Sequence, residues 1–124
     1  MSIAPMLSVR RGAKAIEFYK AAFGARELFR IENENGEVVA QLSAEGSEFW
    51  LADESPEHKN FSPETLGGCS VRLVMVVEDP DAVFSRAIEA GGTVVWPVSD
   101  KEYGWRVGRL VDPYGHHWEI GKPL

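Results

Sequence analysis

Apolar residues recur at helical spacing through GAKAIEFYKAAFGA, where Ala15, Phe18, Tyr19, Ala22 and Phe23 share one face and Gly24 follows as a helix stop. The pattern then changes to short apolar runs. ARELFRIE, EVVAQLS and SEFWLA predict three strands, separated by the hairpin signal NENG and the tight AEG. PMLSV, ahead of the helix, predicts a first strand. The order is strand, helix and three strands.

After a Pro- and Gly-containing linker over 54–68, the same order returns. SVRLVMVV reads as an apolar strand. Asp79 caps a helix with Pro80 at its first position, and DAVFSRAIEAGG is amphipathic and glycine-stopped. TVVWP, YGWRVGRLV and HHWEIG follow as strands. The two halves, 1–53 and 69–124, superpose on the sequence itself: Ala15 to Gly24 and Ala82 to Gly91 span the same interval, and EGSEFWL lies on YGHHWEI with Trp50 on Glu119. Each half carries one helix and a sheet too small to bury its face alone, so the halves should pack into a single α+β domain spanning 1–124.

Composition narrows the partners. The chain has 124 residues and a formal charge of -6, from 13 basic and 19 acidic groups, with no basic stripe for nucleic acid. No apolar run approaches the roughly 20 residues that cross a bilayer, and the N-terminus lacks the order of a signal peptide. A cytoplasmic protein without nucleic-acid or membrane partners is expected. The single Cys69 has no neighbouring His or second Cys to suggest zinc, and a small buried role is expected for it.

A repeated βαβββ unit with AIEFYKAAFGA in its first half and DPYGHHWEI in its last hairpin resembles the vicinal oxygen chelate superfamily, which includes glyoxalase I, bleomycin resistance proteins, extradiol dioxygenases and fosfomycin resistance enzymes. The form DPYGHHWEIGKP is similar to a small bacterial glyoxalase or bleomycin-resistance-like branch. The resemblance implies two βαβββ modules whose mixed sheets form an open cup. It also implies four metal-ligand positions, which fall here on Ala4, Trp50, Arg72 and Glu119. Only Glu119 has a side chain that binds a divalent metal; alanine and tryptophan offer no suited atom, and a guanidinium is cationic. No cofactor is therefore expected, and a divalent metal is disfavoured. Homodimers with ligand clefts at or near the subunit interface are what the resemblance implies for assembly.

Strand alternation sends Trp118 and Ile120 toward the helices and Glu119 with His117 toward the cup. A carboxylate there needs a partner. Arg72 is the expected one, with ligand contact by either residue and metal ligation by Glu119 as alternatives. His117 reads as a polar lining residue or a proton carrier. His116 falls on the opposite face, solvated or capping, and His58 is exposed in the linker. Trp50 and Trp105 are candidate walls of the cup, with Tyr103, Trp105 and Arg106 at its rim, whereas Trp96 and Trp118 should pack under helices. DPYG has the composition of a type I turn. These residues predict a metal-independent small-molecule-binding protein. Two alternatives are a glyoxalase-type lyase or isomerase with Glu119 as base or metal ligand, and a non-catalytic structural or regulatory dimer.

Overall fold

In the computed structural model, which describes residues 1–124, the first half runs β1 (Met6–Val9), α1 (Gly12–Phe23), β2 (Arg26–Glu32), β3 (Val38–Ala44) and β4 (Ser47–Asp53). The second runs β5 (Arg72–Val76), α3 (Pro80–Ala90), β6 (Thr93–Asp100), β7 (Trp105–Val111) and β8 (His117–Pro123). The helix boundaries have local causes. Gly24 at φ 66° closes α1, a conformation that costs a glycine little, with its amide donating to the Lys20 carbonyl and the Ala25 amide to that of Tyr19. Asp79 caps α3 by accepting from the Ala82 amide, with Pro80 at the first position.

Each half makes its own four-stranded mixed sheet, in the order β1, β4, β3, β2 and the order β5, β8, β7, β6; no ladder joins the two sheets within the chain. In both, the strand before the helix pairs in parallel with the last strand of its half, Met6 beside Trp50 in one and Val74 beside Glu119 in the other. The alignment of Trp50 with Glu119 is thus also a register equivalence. Helices α1 and α3 pack on each other and on the inner faces of their sheets. The core between them collects Tyr19, Ile16, Phe23, Leu42, Leu51, Leu110, Trp118 and Ile120, all buried. Trp118 lies 4.7 Å from the Phe23 ring and 5.8 Å from Phe49, so a strand of the second half packs into the first.

The linker is structured, with a 3₁₀ turn at Pro56–His58 and a short helix α2 at Pro63–Leu66, capped by the Ser62 hydroxyl. Glu54 holds it by accepting from the Ser62 amide at 2.8 Å and from the Thr65 hydroxyl at 2.8 Å. These bonds, the Ser62 amide first, keep the Glu54 carboxyl below the usual carboxylate range. Cys69, just before β5, is exposed rather than buried because it sits in the approach to an edge strand, not in it.

One buried carboxylate joins the halves. Asp112 accepts from the Tyr19 hydroxyl on α1, from Trp118 Nε1 at 2.9 Å on β8, and from the amides of Tyr114 and His116 at 2.9 and 3.0 Å in the DPYG turn. Burial, reinforced by the Asp112 charge, pushes the Tyr19 phenol well above its usual range and keeps it a donor. His116 completes the seam. It is half-buried rather than solvated, with Nε2 2.9 Å from the Ser8 carbonyl on β1.

Removing the Asp112 carboxylate strands all four donors in the core, and Asp112→Ala should cost about 3–5 kcal/mol; the midpoint of urea unfolding measures it. The Glu54 contribution has an acid signature. Its folded value is depressed, so the tie is complete above the ordinary carboxylate value near 4.5 and is lost as pH falls through the folded value. Glu54→Gln should therefore lose stability at neutral pH and show a shallower decline on acidification, read from urea midpoints across pH 3 to 7.

Candidate functional site

Alternation gives each sheet a buried face on the helices and an open face. On the first sheet, Met6, Trp50, Gln41 and Phe29 stand in one cross-strand row of the open face, with Ser8, Ala52, Val39 and Ile31 in the next. Phe29 and Trp50 meet edge to face at 6.0 Å. On the second sheet, the matching rows are Val74, Glu119, Arg109 and Trp96, then Arg72, His117, Val111 and Thr93. The first sheet's open face is apolar and aromatic. The second sheet's is charged.

Glu119 is the centre of that charge. Arg72 Nε and Arg109 NH2 both lie 2.8 Å from the same carboxylate oxygen, Oε2. The pairing of Arg72 with Glu119 forms, but a second guanidinium, from the facing strand β7, shares it. Glu119 and Arg109 are mostly covered, at 17% and 23% exposed, whereas Arg72 is 58% exposed. Arg109 also lies over the Trp96 ring at 5.7 Å, and the Lys101 ammonium lies over the same ring at 4.5 Å. Three buried side-chain polar atoms in the chain lack a hydrogen-bond partner, and two of them, Arg109 Nε and His117 Nδ1, belong to this face. Such atoms are few in folded proteins, and each costs about 1–3 kcal/mol.

Arg109 was the residue missed in the sequence, although β7 and β8 form a hairpin. Counting outward from the DPYG turn pairs Val111 with His117 and then Arg109 with Glu119.

The other candidates divide. Trp50 lies on the first sheet, and no ion pair, hydrogen bond or ring contact joins it to Arg72 or Glu119 within the chain. Trp105 is on the open face of β7, opposite Pro123 and four residues from Arg109, about 13 Å along the strand. Tyr103 is exposed in the turn before it. Arg106 shares the parity of Gly108 and Leu110 and faces the helix side, not the cup. There it grips both oxygens of Asp81 at 2.8 Å and reaches Asp100 at 2.9 Å. The Arg106 hydrogen bonds hold Asp81 below the usual carboxylate range at the start of α3.

Trp96 departs from expectation too. It lies half-buried on the open face, not under a helix, because a register shift between Val94 and Trp96 inserts one residue and reverses the alternation. An apolar cleft of about 380 Å³ runs along β5, lined by Phe23, Phe49, Leu73, Met75 and Trp118 and reached by Val74 and Val76 from the edge of the charged row; neither Glu119 nor Arg109 borders it.

Residues 3–120 match the profile of the Glyoxalase/Bleomycin resistance protein/Dioxygenase superfamily. An uncharacterised protein of Mycobacterium bovis is 40% identical over 127 residues, covering 99% of this chain and 84% of that protein. Among solved structures, TioX from Micromonospora sp. ML1 is 26% identical with a TM-score of 0.75, covering 100% of both chains. The fosfomycin resistance protein FosX from Listeria monocytogenes, at 13% identity, shares the fold with a TM-score of 0.77 over 100% of this chain and 94% of its own.

The geometry separates the two arginines energetically. Arg72→Ala, at an exposed ion pair, should change stability by less than about 1 kcal/mol. Glu119→Ala leaves the covered Arg109 guanidinium without its anion and should cost about 2–3 kcal/mol. Urea midpoints of the two variants measure the difference.

Proposed function

We propose that this chain, which belongs to the Glyoxalase/Bleomycin resistance protein/Dioxygenase superfamily, is a bleomycin-resistance-like protein that binds a small molecule without a resident metal. The observation that carries the reading is the row Val74, Glu119, Arg109 and Trp96. The four positions where the resemblance implies metal ligands hold Ala4, Trp50, Arg72 and Glu119, and no group of three or more His, Cys, Asp or Glu gathers anywhere in the chain. The donor set does not fit a divalent cation, which wants several neutral or anionic ligands and is repelled by guanidinium.

The same arrangement counts against Glu119 as the base of a lyase or isomerase, since its Oε2 is already held by two arginines. A cup filled by its own tryptophans is also disfavoured, because Trp50 lies on the other sheet and Trp105 four residues along β7 from Arg109. No helix is long and apolar enough to cross a membrane, and the reading places the protein in the cytoplasm, without nucleic-acid partners.

The binding unit is a homodimer. What supports this is the apolar character of surfaces that one chain leaves open: Ile31 is 57% exposed and Val76 60%, while Phe29 and Met6 are also exposed on the first sheet. A second copy that set its first sheet beside the second sheet of its partner would bring a Trp50 across from a Glu119 and close a cup with one aromatic and one charged wall.

Equilibrium dialysis against nickel, zinc and manganese should find no stoichiometric metal; one equivalent at micromolar affinity, lost in Glu119→Ala, would overturn the reading. Sedimentation should give a dimer of the 13.8 kDa chain, and Ile31→Lys or Val76→Glu should shift it to monomer. A wild-type monomer at micromolar concentration would refute the assembly.

A further inference from the structure

We infer that the open face of the second sheet takes a small organic oxyanion, a carboxylate or phosphonate on an apolar or aromatic body, held between Arg72 and Arg109; this rests on the small-molecule-binding reading above. Charge is the first argument. The chain carries -6, yet on this face Arg72, Arg109 and Lys101 stand against the single carboxylate of Glu119. A local reversal of sign on one sheet face of an acidic chain attracts an anion there.

Unspent hydrogen-bonding capacity is the second. Arg109 spends one terminal nitrogen on a hydrogen bond to Glu119 Oε2 and Arg72 brings its Nε to 2.8 Å of the same oxygen, which leaves the terminal nitrogens of Arg72 without a hydrogen bond, although a planar guanidinium suits two-point recognition of an oxyanion. Arg109 Nε and His117 Nδ1, out of solvent and unpartnered, mark the same spot. A self-sufficient ion-pair network would leave neither orphaned.

The surroundings set the rest of the ligand. Val74, beside Glu119 on the open face of β5, is 62% exposed, and Trp96 closes the row on the other side. An oxyanion on a flat apolar body satisfies both kinds of surface. A bare inorganic anion would leave Val74 in water, and a neutral ligand would leave the cations unanswered. Glu119 then has a definite place. It holds the two guanidiniums beside each other in the absence of ligand, and it competes with the ligand for them.

Titration of the full-length protein with benzoate, phenylphosphonate and the neutral isostere benzamide, followed by calorimetry and by amide chemical shifts, tests this. The anions should saturate, move the amides of Arg109 and its neighbours on β7 and of His117 and Glu119 on β8, weaken as salt is raised, and bind about tenfold or more tightly than benzamide. Arg72→Gln, at an exposed position, should reduce anion affinity about tenfold while leaving benzamide unchanged. Arg109→Gln should do the same, its urea midpoint showing that it remains folded. Glu119→Gln should tighten anion binding by removing the competing carboxylate. Benzamide binding as tightly as the anions, shifts confined to the cleft beside Phe49 and Trp118, loss of anion binding in Glu119→Gln, or no saturation in the millimolar range would each overturn the oxyanion site. The first two leave the binding-protein reading standing, whereas that reading falls on the metal dialysis described above.

Discussion

The Asp112 carboxylate is the point at which two similar halves become one molecule. Taking a carboxylate out of water costs several kcal/mol unless donors replace the solvent. Here they come from three places at once: the Tyr19 hydroxyl on the first helix, the Trp118 indole on the last strand, and two amides of the turn between β7 and β8. Loss of the carboxylate would orphan all four donors at once. The turn is pinned from outside as well, since a side chain at Gly115 would meet Pro63 Cβ at 2.7 Å, where the linker helix begins. Linker, first helix and last hairpin therefore share one fixed corner, and the register of β8 is set by it.

That register is what places the candidate site. Trp118 turns inward to Asp112, Phe23 and Phe49, so its neighbour Glu119 must turn outward. A side chain that faces the open sheet is thereby held by a buried, hydrogen-bonded residue of the core, a rigid support of the kind that precise binding needs. The internal repeat builds the same scaffold in the first half and gives it different chemistry. Trp50 takes the place of Glu119, Gln41 that of Arg109, and Phe29 that of Trp96, each at an equivalent register position. One backbone pattern thus yields an apolar wall and a charged wall.

Much of this was legible in the sequence because periodicity and turn chemistry carry it. The helix of Ala15, Phe18, Tyr19 and Ala22, the stop at Gly24, the cap at Asp79 and the outward parity of His117 and Glu119 all follow from spacing alone. What spacing could not carry was the effect of tertiary partners on individual side chains. Strict alternation puts Trp96 with Val94, and the extra residue of a bulge moves it to the other face. Arg106 looks like a rim cation until Asp81, 25 residues away on α3, is seen to claim it. His116 resembles a solvated turn residue, yet the Ser8 carbonyl that it meets comes from the opposite end of the chain. Arg109 is different in kind. Its pairing with Glu119 was available by counting across the DPYG hairpin, which a search for metal-ligand positions passes over because arginine is not a ligand.

That search also assumes that a cup of this architecture draws its electrophilic character from a bound cation. The second sheet has another source. A divalent metal held by carboxylates and imidazoles presents positive charge to a ligand's oxygens, but its affinity depends on ligand protonation and metal supply. Two guanidiniums sharing one carboxylate present a net positive charge at the corresponding place, permanently protonated and covalently part of the strands. They lack the polarising power of a metal at 2 Å and cannot activate water. They can still orient an anion through several directional donors. One arginine at an implied ligand position, Arg72, with Arg109 beside it on the facing strand, thus offers attraction for oxygen-bearing anions without Lewis-acid chemistry, the combination that the proposed role of holding a molecule rather than transforming it requires.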